Sequence, residues 1–309
     1  MNCSSLKISF IIALASLFFV SCEKDEELRQ LNPGDLTGLG GDKWAQSQID
    51  KWLLDSLTVP YNIAVKYKWD QFELDISRTL VPPDEARVVP MWQVLSDVWI
   101  KPYVAEAGKI FFNKFSPKSF ILVGSNSYND NGSVILGTAE GGRKIVLYAV
   151  NKFRVKGDAG YNPTTDSSFL KTFFIQTIHH EFAHILHQNV MYPQGFKKVN
   201  PSLYNGQNWI NVSDGNARRD GFVTSYASSA YDDDFAETVA MLLINGKAGF
   251  DYIVNSIPVG TSVNGTTREE AQGYLRAKEA YVVDYFKQTY SVDFYALQAR
   301  CRAALNKYL

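Results

Sequence analysis

The 309-residue chain carries 31 basic and 32 acidic side chains, a net charge of −1, which removes the electrostatic case for nucleic acid or an anionic bilayer as a partner. Its 46% hydrophobic and 20% charged residues exclude an extensively disordered chain and provide apolar material for one large core.

At the amino terminus Lys7 precedes an apolar run, Ile8 to Val20, followed by Ser21 and Cys22. This is the layout of an export signal, and its core is too short to span a bilayer comfortably. Phe19-Val20-Ser21-Cys22 resembles a bacterial lipobox, in which the cysteine becomes the acylated first residue. The acidic stretch Glu23 to Glu27 then resembles the signal that sends some Gram-negative lipoproteins to the outer face of the outer membrane. The expected organisation is a signal peptide over 1–21, a polar and glycine-rich tether over 22–42, and one domain over 43–309. With Cys3 in the signal and Cys22 lipidated, Cys301 is left without an intramolecular partner, so the fold does not rely on disulfides.

Apolar positions at helical spacing predict a helix from Trp44 to Leu57, stopped at Pro60. Tyr61 to Tyr67 alternates like a half-buried strand. A second helix is expected over Met91 to Ala107, bent or interrupted at Pro102. Three strand-like runs follow, Phe120 to Gly124, Ser133 to Gly137 and Lys144 to Val150, joined by glycine-containing turns suited to hairpins. Helices are expected over Ser168 to Asn189, Asp232 to Asn245, Glu269 to Tyr290 and Val292 to Tyr308. Tyr192 to Asp220 reads as a long loop of the kind that is commonly functional. Strands come early and helices late, which is an α+β arrangement.

All four histidines of the chain fall in His179-His180-Glu181-Phe182-Ala183-His184-Ile185-Leu186-His187. Residues four apart on a helix are stacked about one turn apart, so His180 and His184 can point at one ion. Zinc accepts neutral imidazole nitrogen and lowers the pKa of bound water to about 7. Glu181 then sits beside the first ligand, where it can take a proton from that water. On a helical wheel His187 falls within about 60° of both ligands, whereas His179 lies about 100° from His180 and receives no role. A catalytic zinc site needs a third protein ligand. In Tyr231-Asp232-Asp233-Asp234-Phe235-Ala236-Glu237, Asp233 and Glu237 lie one helical turn apart. Either could bind the metal while the other steadies an imidazole, and Asp232 and Asp234 fit the favourable end of the helix dipole.

H-H-E-F-A-H-I-L-H-Q, Gly221-Phe222-Val223-Thr224-Ser225-Tyr226-Ala227 and D-D-D-F-A-E together resemble the gluzincin branch of the zincin metallopeptidases, most closely the zinc-binding metallopeptidase lipoproteins of Gram-negative bacteria. The resemblance implies a zincin-like fold, with a small mixed or antiparallel sheet packed on the H-E-x-x-H helix and a helical C-terminal part. It implies a zinc cofactor, peptide-bond hydrolysis, Asp233 as third ligand and Glu237 as support for a ligand histidine. The family pattern usually has Glu where this chain has Asp233, which keeps Glu237, and beside it His187, as alternatives that either bind the metal or hydrogen-bond to a residue that does. By similarity to lethal-factor-like toxins, Tyr226 would stabilise the oxyanion. An edge strand within Ser133 to Val150 would hold extended substrate. The resulting expectation is a monomeric, lipid-anchored peptidase acting on peptide or protein. Its rivals are a catalytically silent surface lipoprotein that binds polypeptide or glycan, and a zinc hydrolase of non-peptide amides.

Overall fold

The computed structural model describes residues 45–309 apart from positions 76, 131, 141 and 142. The segments read from the sequence as signal peptide and tether, with Cys22, lie outside the described residues, among which no helix is long and apolar enough to cross a membrane.

The first helical stretch, α1, covers 48–61. Ser47 and Asp50 open it with a reciprocal capping box. It does not stop at Pro60. A wide π turn over Leu54–Thr58 precedes the proline, which moves the earlier carbonyls off its ring, and the helix ends at Asn62, a left-handed residue at φ 56°. The next stretch, α2, covers 85–115 and begins earlier than expected because the Asp84 side chain caps the amide of Ala86. Again a π turn, Ser96–Ile100, stands just before Pro102. The break falls instead at Gly108, whose φ of 85° is open to glycine.

Four strands form a mixed sheet in the order β1 (Ala64–Lys66), β2 (Ser119–Leu122), β6 (Lys144–Leu147), β5 (Gly137–Glu140). The first two pairings are parallel, and only β5 runs antiparallel to β6. The expectation of successive hairpins therefore holds for β5–β6 but not for β2. The turn after Tyr128 instead closes a separate ribbon of β3 (Ser127–Tyr128) and β4 (Val134–Ile135), with the Asn129 amide donating to the Ser133 carbonyl at 2.9 Å. Phe120, Ile121, Leu122, Ile145, Val146 and Leu147 are all buried, the two-sided burial that a parallel pair requires. One face joins the main core with Trp92, Trp99 and Phe182. The other, Ile121, Val123, Val146 and Tyr148, is covered by Leu74, Leu80 and Ile135.

The helix bearing the histidines, α3, covers 165–189 and passes through a π turn at Leu170–Gln176 before the regular segment Thr177–Asn189. The edge strand β5 lies against the start of that segment. A Cβ on Gly137 would sit 2.3 Å from Cγ2 of Thr177, so the missing side chain is what lets strand and helix approach this closely. Tyr192 to Asp220 consists of three short 3₁₀ turns and a helix, α4 (Asp214–Arg219). The ring of Tyr192 stacks on Phe235 at 4.3 Å and 10°, which ties the segment to the body of the fold. Beyond it come α5 (Tyr231–Asn255), α6 (Arg268–Tyr290) and α7 (Phe294–Leu305). The expected end of α5 at Asn245 is a kink, since Gly246 adopts φ 67° and the helix then resumes. The fold is thus α+β, with β5 of a small mixed sheet against the histidine helix, α5 packed along that helix, and α6 and α7 packed on α5. Cys301 is a buried free thiol in α7.

Candidate metal centre

Ile178, Phe182, Ile185 and Leu186 bury one stripe of α3, with Phe182 edge-on to Trp99 and Tyr103 at 5.5 and 4.9 Å. That stripe sets the helix rotation and turns His180 and His184 toward α5, with their ring centroids 4.6 Å apart. Their Nε2 atoms are 2.9 Å from one another. Oδ1 of Asp233, on the first turn of α5, lies 3.3 Å from the His184 Nε2 and 3.8 Å from the His180 Nε2. A tetrahedral zinc with ligand bonds of about 2.0–2.1 Å places its donors about 3.3 Å apart. The three separations bracket that figure. Asp233 also accepts from the Ser229 hydroxyl at 2.9 Å through its other oxygen. Burial works against its charge, but the neighbouring His184 and the Ser229 hydroxyl hold its pKa below the ordinary value.

Glu237 is fully engaged elsewhere. Its Oε1 is 2.8 Å from the His180 Nδ1, and its Oε2 accepts from Gln176 at 2.8 Å and from Thr224 at 2.7 Å. Burial would raise its pKa, yet these donors keep it lowered and the group ionised. The same contact fixes the His180 tautomer. Nδ1 carries the proton toward Glu237, and the Nε2 lone pair is left facing Asp233 and His184. In the absence of a cation, burial disfavours the His180 imidazolium, but the hydrogen bond and charge of Glu237, followed by Glu181 and Asp233, raise its pKa. Three carboxylates thus converge on two imidazoles, a charge balance that a divalent cation satisfies. The donor set, two imidazole nitrogens and a carboxylate oxygen, suits zinc.

Of the remaining sequence candidates, His187 lies outside the three-donor cluster and meets His184 instead, Nε2 to Nδ1 at 2.8 Å. Burial, then the neighbouring His184, pushes its pKa down to about 4. His179 is buried against Tyr103 at 6.0 Å, and burial alone depresses its pKa to about 3. Glu181 and Tyr226 line a common cleft of about 640 Å³ with His180, Thr224, Trp209 and β5. The Tyr226 ring is 5.6 Å from His180 and edge-on to Trp209 at 4.8 Å. Burial, then the charges of Asp233, Glu181 and Glu237, raise its pKa, so the hydroxyl keeps its proton.

Sequence reasoning missed Gln176, Thr224, Ser229 and Trp209. Gln176 precedes His180 by one helical turn, and that spacing marks it as a neighbour on the same face. Thr224 stands within the quoted Gly221 to Ala227 stretch. For Trp209, in a 3₁₀ turn far from both motifs, no local signal exists.

Residues 42–295 match the family described as "Putative zinc-binding metallo-peptidase". The chain belongs to this family. The fold is also that of a crystal structure described as "a putative zinc-binding metallo-peptidase" from Bacteroides caccae, which is 29% identical in sequence over 85% of this chain and 95% of that one, with a TM-score of 0.67. No curated protein matches the chain.

Proposed function

We propose that this family member is a zinc-dependent peptidase, with His180, His184 and Asp233 as the metal ligands and Glu181 as the general base. The observation that carries the reading is the triangle of two Nε2 atoms and Oδ1 of Asp233, of which His180 lines the cleft together with Glu181. When bound, zinc supplies Lewis acidity toward water and toward a peptide carbonyl. Glu181 takes the water proton as the nucleophile forms and returns it to the leaving amine. The Tyr226 hydroxyl, kept protonated by its surroundings, donates to the developing oxyanion. Glu237 holds His180 in the tautomer that ligation needs.

The cleft also suits an extended chain. Among the described residues β5 is paired on one side only, with β6, so its other edge can pair with a peptide running beside the H-E-x-x-H helix. The cleft continues past Trp209, Arg78 and Asn129 into a second, polar cavity of about 420 Å³, room for residues beyond those flanking the scissile bond. The amino-terminal signals read from the sequence support a further part of the proposal, that a lipid anchor at Cys22 holds the domain at the outer membrane, facing the exterior, where as a monomer it acts on peptide or protein.

The test is incubation of the zinc-loaded protein with a mixed peptide library. Chelator-sensitive cleavage products support the reading. Stoichiometric zinc without any product supports binding without turnover, and products only from other amides support the non-peptide hydrolase. The ligand assignment predicts that Asp233→Ala loses zinc outright in metal analysis, while Glu237→Ala retains it with an affinity about 10–100-fold lower, the range for loss of an outer-shell partner. A larger loss in Glu237→Ala would reverse the two roles.

A further inference from the structure

His184 has a hydrogen-bond partner on each ring nitrogen, and the two differ in kind. Its Nε2 faces the His180 Nε2 at 2.9 Å and Asp233 at 3.3 Å. Its Nδ1 faces the His187 Nε2 at 2.8 Å. The nitrogen turned toward Asp233 and His180 must keep its lone pair to bind an ion, so the ring proton belongs on Nδ1, and the His187 Nε2 is its acceptor.

The geometry points to His187 as the positioning residue for His184, an imidazole serving where His180 has the carboxylate of Glu237; the inference rests on the zinc reading above. His187 is built for the task. It is 3% exposed, sits one turn beyond His184 on α3, and presents its ring edge-on to Tyr192 at 5.5 Å and to Phe235 at 6.0 Å. Those two rings stack on each other, and the Tyr192 hydroxyl donates to Asp232 at 2.5 Å, on the same turn of α5 as Asp233. The aromatic cage therefore registers the His187 ring against the turn that delivers the third ligand.

The two ligand histidines consequently differ. His180 donates to an anion that strengthens it as a base, whereas His184 donates to an acceptor without charge and is the weaker of the two. Replacing His187 removes the only acceptor recorded for the His184 Nδ1 among the described residues while leaving the three donors untouched. Gln at 187 can accept through its amide oxygen, and Phe cannot.

Two measurements test this on the full chain. Zinc dissociation constants by competition with a chromogenic chelator should rise about 10–100-fold in His187→Phe and return to within about threefold of wild type in His187→Gln. The d–d absorption of the cobalt-loaded protein should change in the Phe variant and recover in the Gln variant. Nitrogen NMR of the zinc-loaded wild type needs no variant to fold and should show the His184 Nδ1 protonated, with a coupling across the hydrogen bond to the His187 Nε2. A folded His187→Phe protein with wild-type zinc affinity would overturn the proposal, as would a His184 protonated on Nε2. A wild-type protein that takes up no zinc would instead remove the metallopeptidase reading beneath it, so the two failures are distinguishable.

Discussion

If the zinc-peptidase proposal holds, Glu181→Gln is expected to bind about one zinc per chain, as wild type would, and to cleave peptide at a rate reduced by about 10³-fold, within the range that positioned acid–base groups contribute. That is about 4 kcal/mol of transition-state stabilisation. The substitution keeps the shape and removes the charge, so an amide at this position can neither accept the water proton nor return it to the leaving amine. Zinc uptake is expected to survive because Glu181 is outside the donor cluster of His180, His184 and Asp233, and the tautomer of His180 is fixed from the opposite side by Glu237 at 2.8 Å. The loss should fall on kcat with little change in KM, since the interaction with the moving proton exists only in the transition state. Metal analysis paired with peptide cleavage by mass spectrometry makes the check. A Gln variant with wild-type turnover would assign the base elsewhere, and one that lost zinc would show Glu181 to be structural.

The histidine part of the candidate site was legible because it is local. Helical spacing alone places His180 and His184 together and sets Glu181 between them, and the apolar stripe Ile178, Phe182 and Ile185 fixes which way the helix faces. Asp233 and Glu237 were legible as a pair one turn apart, but not in their division of labour. That division depends on Gln176 and Thr224 reaching Oε2 of Glu237 from other segments, a long-range fact that no spacing encodes. The fold followed the same pattern. Helix extents came close because caps and periodicity are local, whereas the parallel pairing of β2 with β6 depends on the intervening β3–β4 ribbon folding off to one side. Prolines misled for a related reason. At Pro60 and Pro102 a π turn absorbs the ring, and wide turns carry no composition signature.

Asp234 shows most sharply what local reading omits. By position it is one of three acids at a helix start, the ordinary dipole arrangement, yet its side chain is fully buried, with the Lys278 ammonium of α6 at 2.7 Å, itself fully buried. Burial pushes the carboxyl pKa up and the ammonium pKa down, and each partner's charge opposes the other's shift. Asp234 also accepts from the Tyr204 hydroxyl at 2.6 Å, while Lys278 donates to the Gly221 carbonyl at 2.8 Å and lies 4.1 Å over the Phe222 ring. The pair thus pins α5, α6, the 192–220 segment and the Gly221–Phe222 approach to Thr224 at one point, next to the turn that presents Asp233.

Lys278→Met keeps most of the volume but strands a carboxylate in the core, and the expected cost is about 3–5 kcal/mol, as for other buried pairs deprived of one partner. The measurement is the urea midpoint of the zinc-free protein at unchanged m-value. Converting Asp234→Asn in the same chain removes the stranded charge and should recover more than half of the loss, because the desolvation penalty belongs to the ion rather than to the missing contact. Lys278→Met should also weaken zinc binding, since the turn carrying Asp233 loses its anchor to α6. A single variant within about 1 kcal/mol of wild type, an effect typical of solvent-exposed pairs, would mean that the pair does not hold these elements together.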